Sequence, residues 1–301
     1  MQKWLLHARE HTRWYLLFSL IFLSFVLWFV IFHENRQGIL TFAVLDIGQG
    51  DALFIESPTG TQVLVDGGPD KNLMKEISKV LPFYDRHIDM IVVTNPDQDH
   101  YSGFIPLLQK YKIDSILEPG TTNPNPAYKV LEDEIAEKNI PKTIASRGQI
   151  IDLGGGAYLR ILFPDRDISG LSPNDGSIIM QLVYGDTSVM LQGDSTAKME
   201  GYVMTLGEDL KSTILKIGHH GSRTSSTEEY VTKVSPQFAV ISSGINNQYG
   251  HPHKETLETL SKLKIPTLDT CVMGDIIFHS DGKVFSLQNK KVTPVDVGCK
   301  H

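Results

Sequence analysis

A short β-branched run, Ile91-Val92-Val93, breaks directly into Thr94-Asn95-Pro96-Asp97-Gln98-Asp99-His100. The run reads as a buried strand, and Phe104–Lys110 reads as the opening of a helix. Asp97, Asp99 and His100 therefore fall on a strand-to-helix loop, where a rigid scaffold can aim several side chains at one point. Carboxylates crowded this closely repel one another unless a cation joins them, and carboxylate with imidazole is an ordinary divalent-metal set. The local alternative is helix capping, since Asp and Asn accept hydrogen bonds from first-turn N–H groups. This stretch alone leaves both readings open.

The same punctuation recurs along the chain. Ser188–Leu191 runs into Gln192-Gly193-Asp194, where Asp194 is a turn residue or a group left at a sheet rim. Ile214–Ile217 runs into Gly218-His219-His220-Gly221-Ser222, and histidine is the commonest metal ligand; the alternative is an exposed polar loop. Tyr249-Gly250-His251-Pro252-His253 precedes the helix Lys254–Leu263, with Pro in its N1-type region, so His251 and His253 read as a phosphate-binding or proton-transfer pair, or as loop polarity. Asn174 and Ser177 lie in Pro173–Ser177, a turn by composition, and are candidate substrate contacts. Lys216 and Arg223 are local cations for an anionic substrate, or solvated surface.

Between these points the pattern alternates. Thr41–Asp46, Ala52–Ser57 and Gln62–Asp66 read as strands, followed by helix Leu73–Leu81. Helix Phe104–Tyr111, strand Ser115–Leu117 and helix Ala127–Lys138 come next. Strands Ile150–Leu153, Tyr158–Phe163 and Ile178–Tyr184 follow, the first two joined by Gly154–Gly156. The last third adds helix Glu228–Val234, strand Phe238–Ser242, and a final hairpin, Asp275–His279 with Lys283–Leu287, turning at Asp281-Gly282. Sheets covered by helices, a layered α/β design, follow from this alternation.

With 301 residues, 41% of them apolar, the chain can bury a large core as one domain or two. A formal charge of −7 argues against a broad basic face for nucleic acid, while leaving room for a local basic rim. Cys271 and Cys299 have no CxxC spacing, which disfavours a cysteine zinc site or a disulfide framework and leaves a single bridge open.

Trp14–Phe32 is an uncharged run close to the ~20 apolar residues that a bilayer crossing requires. Trp14, Tyr15, Trp28 and Phe29 lie near its ends. Lys3, Arg9 and Arg13 precede it, and Glu34 opposes Arg36 after it, so the positive-inside rule places the N-terminus in the cytoplasm. No small-x-small site follows, which favours a retained single-pass anchor in the cell membrane over a cleaved signal peptide. The expected domains are residues 1–37, a cytoplasmic N-terminus and transmembrane anchor; residues 38–290, an extracytoplasmic domain; and residues 291–301, a C-terminal tail.

Seven ordered motifs carry a resemblance: LDIGQGDA at 45–52, LVDGG at 64–68, TNPDQDHYSG at 94–103, NDGS at 174–177, LQGD at 191–194, LKIGHHGS at 215–222 and YGHPH at 249–253. Over residues 40–288 the chain resembles the metallo-β-lactamase superfamily, and more narrowly the soluble hydrolase domain of ComEC competence proteins. The resemblance implies an αββα four-layer sandwich with one or two divalent metals at loops along one sheet edge. Where the superfamily's metal loop has HxHxDH, this chain has Asn95, Asp97, Asp99 and His100. No histidine lies between His100 and His219, so the superfamily's middle ligand histidine has no counterpart, which disfavours β-lactam hydrolysis. Asp99, His100, Asp194 and one of His219 and His220 match one metal pocket, with Asp194 bridging. A second pocket would keep Asp97 and Asp194 and depend on the amide oxygen of Asn95. Such an oxygen-rich set makes manganese or magnesium more credible beside zinc.

The same resemblance implies a metal-dependent hydrolase cleaving phosphodiesters, either single-stranded DNA during uptake or a cell-envelope phosphoester. Asp99 would orient or deprotonate a water, and His219, His220, His251 or His253 would serve as general acid. Asn174, Ser177, Ser222 and His253 are the expected substrate-binding residues. The alternative is a catalytically impaired member, with Asn95 in place of the first histidine, acting in binding or DNA uptake. ComEC proteins carry a many-helix channel portion, so a single span leaves translocation to a separate membrane channel partner.

Overall fold

In the computed structural model the chain divides into two units, Met1–Gln37 and Gly38–His301. Residues 2–33 and 38–288 are described, with side chains from 11 to 28 and from 38 to 288. The expected flanks Lys3, Arg9, Glu34 and Arg36, together with Cys299 and the tail 291–301, lie outside the described side chains. The first unit is helix α1 (Gln2–His33), within which His11–Trp28 is long and apolar enough to cross a membrane.

The second unit begins with β1 (Leu40–Val44), β2 (Leu53–Glu56) and β3 (Gln62–Val65). Then come α2 (Asn72–Val80), β4 (His87–Val92), α3 (Gln98–Tyr101), α4 (Phe104–Leu108), β5 (Lys112–Glu118), α5 (Pro126–Glu137) and β6 (Lys142–Ile144). The chain next builds β7 (Ile150–Gly154), β8 (Ala157–Phe163), β9 (Ile179–Tyr184), β10 (Thr187–Leu191), α6 (Ala197–Thr205) and β11 (Ile214–Lys216). It continues through α7 (Glu228–Val234), β12 (Phe238–Ile241), α8 (Lys254–Lys262), β13 (Thr267–Asp269) and α9 (Thr270–Met273), and ends in β14 (Ile276–Ser280) and β15 (Phe285–Leu287).

These strands form an eight-stranded sheet, β15-β14-β1-β2-β3-β4-β5-β6, and a seven-stranded sheet, β13-β12-β11-β10-β9-β8-β7. Strand periodicity separates their faces. Leu40, Phe42 and Val44 of β1 meet Leu159, Ile161 and Val189 of the other sheet in one buried cluster. Ala43 and Leu45, on the opposite face, pack with Ile77, Phe104 and Leu131 from α2, α4 and α5. Met190, Leu215 and Ile241 pack with Val203, Val231 and Leu260 from α6, α7 and α8. Three apolar interfaces therefore separate four layers, the αββα sandwich.

Some elements differ from the sequence reading for identifiable reasons. All three residues of β6 are exposed, so it has no apolar alternation, and parallel pairing with β5 defines it. The helix after β4 starts earlier than Phe104, at Gln98, and resumes as α4 beyond Gly103, where a Cβ would overlap the Gly67 carbonyl. The acidic cluster therefore lies in a helical first turn rather than on an open loop. Asp97 occupies the N-cap position without a side-chain capping bond; its Oδ1 accepts from Asn123 Nδ2 at 2.9 Å. Capping does not account for the cluster. Pro252 precedes the N-cap residue His253 and so lies outside α8 rather than in its first turn.

Away from the acidic cluster, Lys142 Nζ lies 3.0 Å from Glu118 Oε2 and 2.5 Å from Glu132 Oε2. Burial and neighbouring Glu132 push Glu118 up to about 7, against the pull of Lys142. The folded chain thus keeps a proton that the unfolded chain releases above about 4.5, so this group's contribution to stability falls as pH rises from 4.5 to 7. Glu118→Gln is expected to raise stability by about 1–3 kcal/mol at pH 8 and by much less at pH 5, measured by urea denaturation. An equal change at both pH values would contradict that account.

Candidate metal centre

The strands β1, β3 and β4 of one sheet and β10, β11 and β12 of the other end at a common edge, and five of the seven sequence motifs leave a strand there, at β1, β3, β4, β10 and β11. Close backbone approach draws the loops together. A Cβ at Gly50 would overlap the Asp99 carbonyl, so glycine lets the loop after β1 rest on α3, where Asp51 N donates to Asp99 O at 3.2 Å. After β11 the chain makes a 3-10 turn in which His219 and His220 both have positive φ, 50° and 54°. A left-handed conformation costs a non-glycine residue about 1–3 kcal/mol, and such strain is often stored at functional sites.

Two buried histidines are aimed by carboxylates behind them. His100 Nδ1 is 2.8 Å from Asp66 Oδ2, while Asp66 also accepts from Thr94 N at 2.8 Å and Thr94 Oγ1 at 2.6 Å. His220 Nδ1 lies 3.2 Å from Asp51 Oδ1 and 3.2 Å from Ser242 O. Asp51 is in turn 2.7 Å from Lys216 Nζ, which also donates to Ile217 O at 3.0 Å. The other ring nitrogens face forward: His100 Nε2 is 3.1 Å from Asp194 Oδ2, and His220 Nε2 is 3.3 Å from Asp99 Oδ2 and 3.5 Å from Asp194 Oδ1.

His100 Nε2, His220 Nε2 and Asp194 Oδ1 are buried and have no hydrogen-bond partner. Unpaired buried polar atoms are rare in folded chains, and each calls for a cause. Asp99, His100, Asp194 and His220 each offer one ligand atom within 4.8 Å of the others, a set that fits one divalent cation. Without a cation, protons take that role. Burial opposes charge on His100 and His220, yet Asp194 with Asp66 or Asp51 raises both well above the ordinary histidine value. Burial likewise works against ionised Asp194, but the two imidazoles hold it well below the ordinary carboxylate range.

Asp99, Asp194 and His220 of the cluster form the floor of a cavity of about 320 Å³ walled by Asp97, His219, His251, Tyr249, Gln49 and the amides of Asn123 and Asn125. Asp97 is half-buried on the wall, outside the four-ligand group. His219 Nε2 is 3.7 Å from Asp194 Oδ2, and its Nδ1 is 3.1 Å from Thr224 Oγ1. His251 packs edge-on against both His219 and His253, and its Nδ1 is 3.3 Å from Gln49 Nε2.

Several expected roles need correction. Asn95 is fully buried; its Oδ1 accepts from Asp97 N at 2.9 Å and its Nδ2 donates to Asn174 Oδ1 at 2.8 Å. It joins two loops, and the amide oxygen expected to hold a second ion is already engaged, as is Asn174 expected for substrate. Ser177 is buried, and a Cβ on Gly193 would press against it; Ser222 is buried and bonded to Thr224 Oγ1 at 2.9 Å. Neither faces the cavity. His253 Nδ1 accepts from Arg223 N at 3.1 Å, which engages it in the loop. Lys216, expected as a substrate cation, is 1% exposed and neutralises Asp51. His251, expected as general acid, is lowered to about 4 by burial and by the charges of His220, His219 and His253, so it is neutral at pH 7. The converging donors are two carboxylates and two imidazoles, less oxygen-rich than expected.

Asp51 and Asp66 were not singled out as site residues. Their signal lies in GQGDA and LVDGG, where an aspartate beside glycine stands at the end of an apolar strand, before β2 for Asp51 and after β3 for Asp66.

A family model described as "Metallo-beta-lactamase superfamily" matches residues 45–244, and the chain belongs to that superfamily. Among curated proteins it is 29% identical over 258 residues to ComE operon protein 3 of Bacillus subtilis, covering 80% of this chain and 33% of that protein. It is also 29% identical over 265 residues to Recombination protein 2 of Haemophilus influenzae, covering 86% and 31%. Competence protein ComA of Neisseria gonorrhoeae is 27% identical over 250 residues, covering 81% and 32%. The chain thus spans about a third of these relatives' length. Among solved structures, the metallo-beta-lactamase fold protein YhfI from Bacillus subtilis aligns with a TM-score of 0.50 at 8% identity, over 76% of this chain and 95% of that one. This last likeness concerns the fold alone.

The carboxylates behind the histidines should govern metal affinity. Asp66→Asn is expected to weaken Zn²⁺ or Mn²⁺ binding by about 10–100-fold in calorimetric titration while the fold is kept; unchanged affinity would contradict the assigned role of Asp66. Lys216→Met leaves Asp51 buried without its cation and should cost about 3–5 kcal/mol in urea denaturation, most of it recovered by adding Asp51→Asn. A loss below ~1 kcal/mol would contradict the buried pair.

Proposed function

We propose that the chain is a membrane-anchored, metal-dependent hydrolase that cleaves phosphodiesters outside the cytoplasm. The carrying observation is that three buried atoms with no hydrogen bond, His100 Nε2, His220 Nε2 and Asp194 Oδ1, converge with Asp99 beside an open polar cavity. A divalent ion, zinc or manganese, would be held by these four residues and supply Lewis acidity, acidifying a water and offsetting charge on a phosphoryl oxygen.

The chain's own groups account for the rest. Burial works against the charged form of Asp99, but contact with His220 Nε2 at 3.3 Å and the charges of the His100 and His220 imidazoliums lower it, so it is a carboxylate able to take a proton at neutral pH. His219 is lowered by burial, so neither it nor His251 holds an acidic proton at pH 7. With the Gln49 amide donating to His251 Nδ1, the ring hydrogen sits on Nε2, and His251 orients bound oxygens as a neutral donor. Gln49, Asn123 and Asn125 line the wall with groups that suit phosphate and sugar oxygens.

One of the relatives is named for competence and one for recombination, and recombination acts on DNA, which favours a single DNA strand over a cell-envelope phosphoester. The apolar stretch His11–Trp28 supports a membrane span, and Lys3, Arg9 and Arg13 ahead of its apolar core favour an N-terminus in the cytoplasm.

Asn95 favours a second reading, a binding protein with little turnover, because its amide is occupied where the superfamily's metal loop begins with histidine. The two are separated by hydrolysis of bis-p-nitrophenyl phosphate and single-stranded DNA with added Mn²⁺ or Zn²⁺. Asp99→Ala and Asp194→Ala should each lower kcat by about 100-fold or more, and activity that survives both would sink the assignment. Asn95→His that raises the rate by about tenfold or more marks a weakened enzyme; DNA bound tightly without turnover in either form supports the binding reading.

A further inference from the structure

The sheet edge opposite the metal centre has its own character. Thr41 of β1, Glu56 of β2 and Gln62 of β3 lie level with one another, and Gln62 N donates to Asp89 Oδ2 of β4. The chain enters the second unit at this edge, through Gly38 and Leu40. The loop between α2 and β4 lies at the same edge, three strand spacings or ~14 Å along it. This loop carries Phe83 and Tyr84, 84% and 62% exposed, with rings edge to face at 5.4 Å. Phe83 is the most exposed large apolar residue among the described residues. On the other side of the entry point, the turn after β14, which pairs Ser280 with Leu40, presents Val284 at 64% exposure.

Charges near the aromatic pair are arranged accordingly. Exposed Arg86 has its guanidinium 5.1 Å over the Tyr111 ring with NH1 2.8 Å from the Tyr111 hydroxyl, and Lys110 beside it is exposed. The acidic neighbours are engaged: Asp85 accepts from Gln62 Nε2 at 2.8 Å and from His87 N at 3.1 Å, and Asp114 pairs with Lys112 at 2.7 Å and His87 at 2.8 Å. Exposed aromatics beside cations are the composition of protein surfaces that sit at lipid headgroups.

We infer that this entry edge docks on the phospholipid bilayer, with Phe83 and Tyr84 entering the headgroup boundary. The inference rests on the reading that His11–Trp28 spans that bilayer, because the span delivers the chain to this edge. A two-residue tip is far smaller than the ~800 Å² that each partner contributes to a stable protein interface. A tethered body needs no such area, since the tether alone supplies a high local concentration. Strands of five to six residues at ~3.3 Å each place the metal centre some 20 Å farther from the membrane, opening away from it. The substrate is then a soluble phosphodiester approaching from the aqueous side, not a lipid headgroup.

The test uses the full chain with a protease site placed between His33 and Gly38, reconstituted in phosphatidylcholine–phosphatidylglycerol vesicles and cut only afterwards. The wild-type body should stay with floated vesicles at least ~10-fold more than Phe83→Ser/Tyr84→Ser, and Phe83→Trp should retain it. Release of the wild type as complete as that of the double variant overturns the proposal. So does retention unchanged in the double variant, or a released wild-type dimer that the double variant converts to monomer. Failure of the uncut chain to float with vesicles instead removes the spanning reading, and the docking proposal with it.

Discussion

The site depends on burying opposite charges against one another at the seam between two sheets. Asp51, Asp66 and Asp194 are almost fully buried, as are Lys216, His100 and His220. An uncompensated buried charge costs several kcal/mol, so each group is tolerable because the others are present. Lys216 from β11 neutralises Asp51 from the loop after β1, which ties the first sheet to the second beneath the cluster. The imidazoles carry protons where a divalent cation would otherwise supply the charge. Cation and protons compete for the same nitrogens, so metal binding at this centre is coupled to proton release.

That arrangement explains why the conspicuous polar residues lie at strand ends. Strand interiors supply the three apolar interfaces, and a carboxylate within them would go unpaired. At the common edge, glycines such as Gly50 and Gly103 let backbones approach closely enough for side chains from different loops to meet. The opposite edge has the chain entry and the exposed aromatic tip. One sandwich thus separates a polar edge with the candidate metal centre from an edge with exposed aromatics.

Much of this was legible in the residue pattern. Apolar runs bounded by turn residues marked β1, β8 and β9, because strands covered on both sides have little room for polar groups, and amphipathic spacing marked α2, which buries one face. Strand β6 was not legible, since all its side chains are exposed and its place is set by hydrogen bonding to β5. Asp99, His100, Asp194 and His220 stood out as chemically dense loop residues, and the structure brings them to one point. Which atoms face that point was not legible. Asn95 and Lys216 have the right chemistry for a ligand and a substrate cation, but their partners, Asn174 and Asp51, come from segments distant in sequence. Asp51 and Asp66 were hidden for the converse reason: an aspartate in a glycine turn looks local until the fold places a histidine against it.

The central claim is that Asp99, His100, Asp194 and His220 form a cation cage. Anomalous diffraction from crystals of the full chain grown with Mn²⁺ and, separately, Zn²⁺ tests it most directly. The account predicts one strong peak bonded to all four residues at about 2.0–2.3 Å, with His100 still held by Asp66 and His220 by Asp51. A fully occupied ion elsewhere, or no peak while the four side chains keep their present contacts, would contradict it.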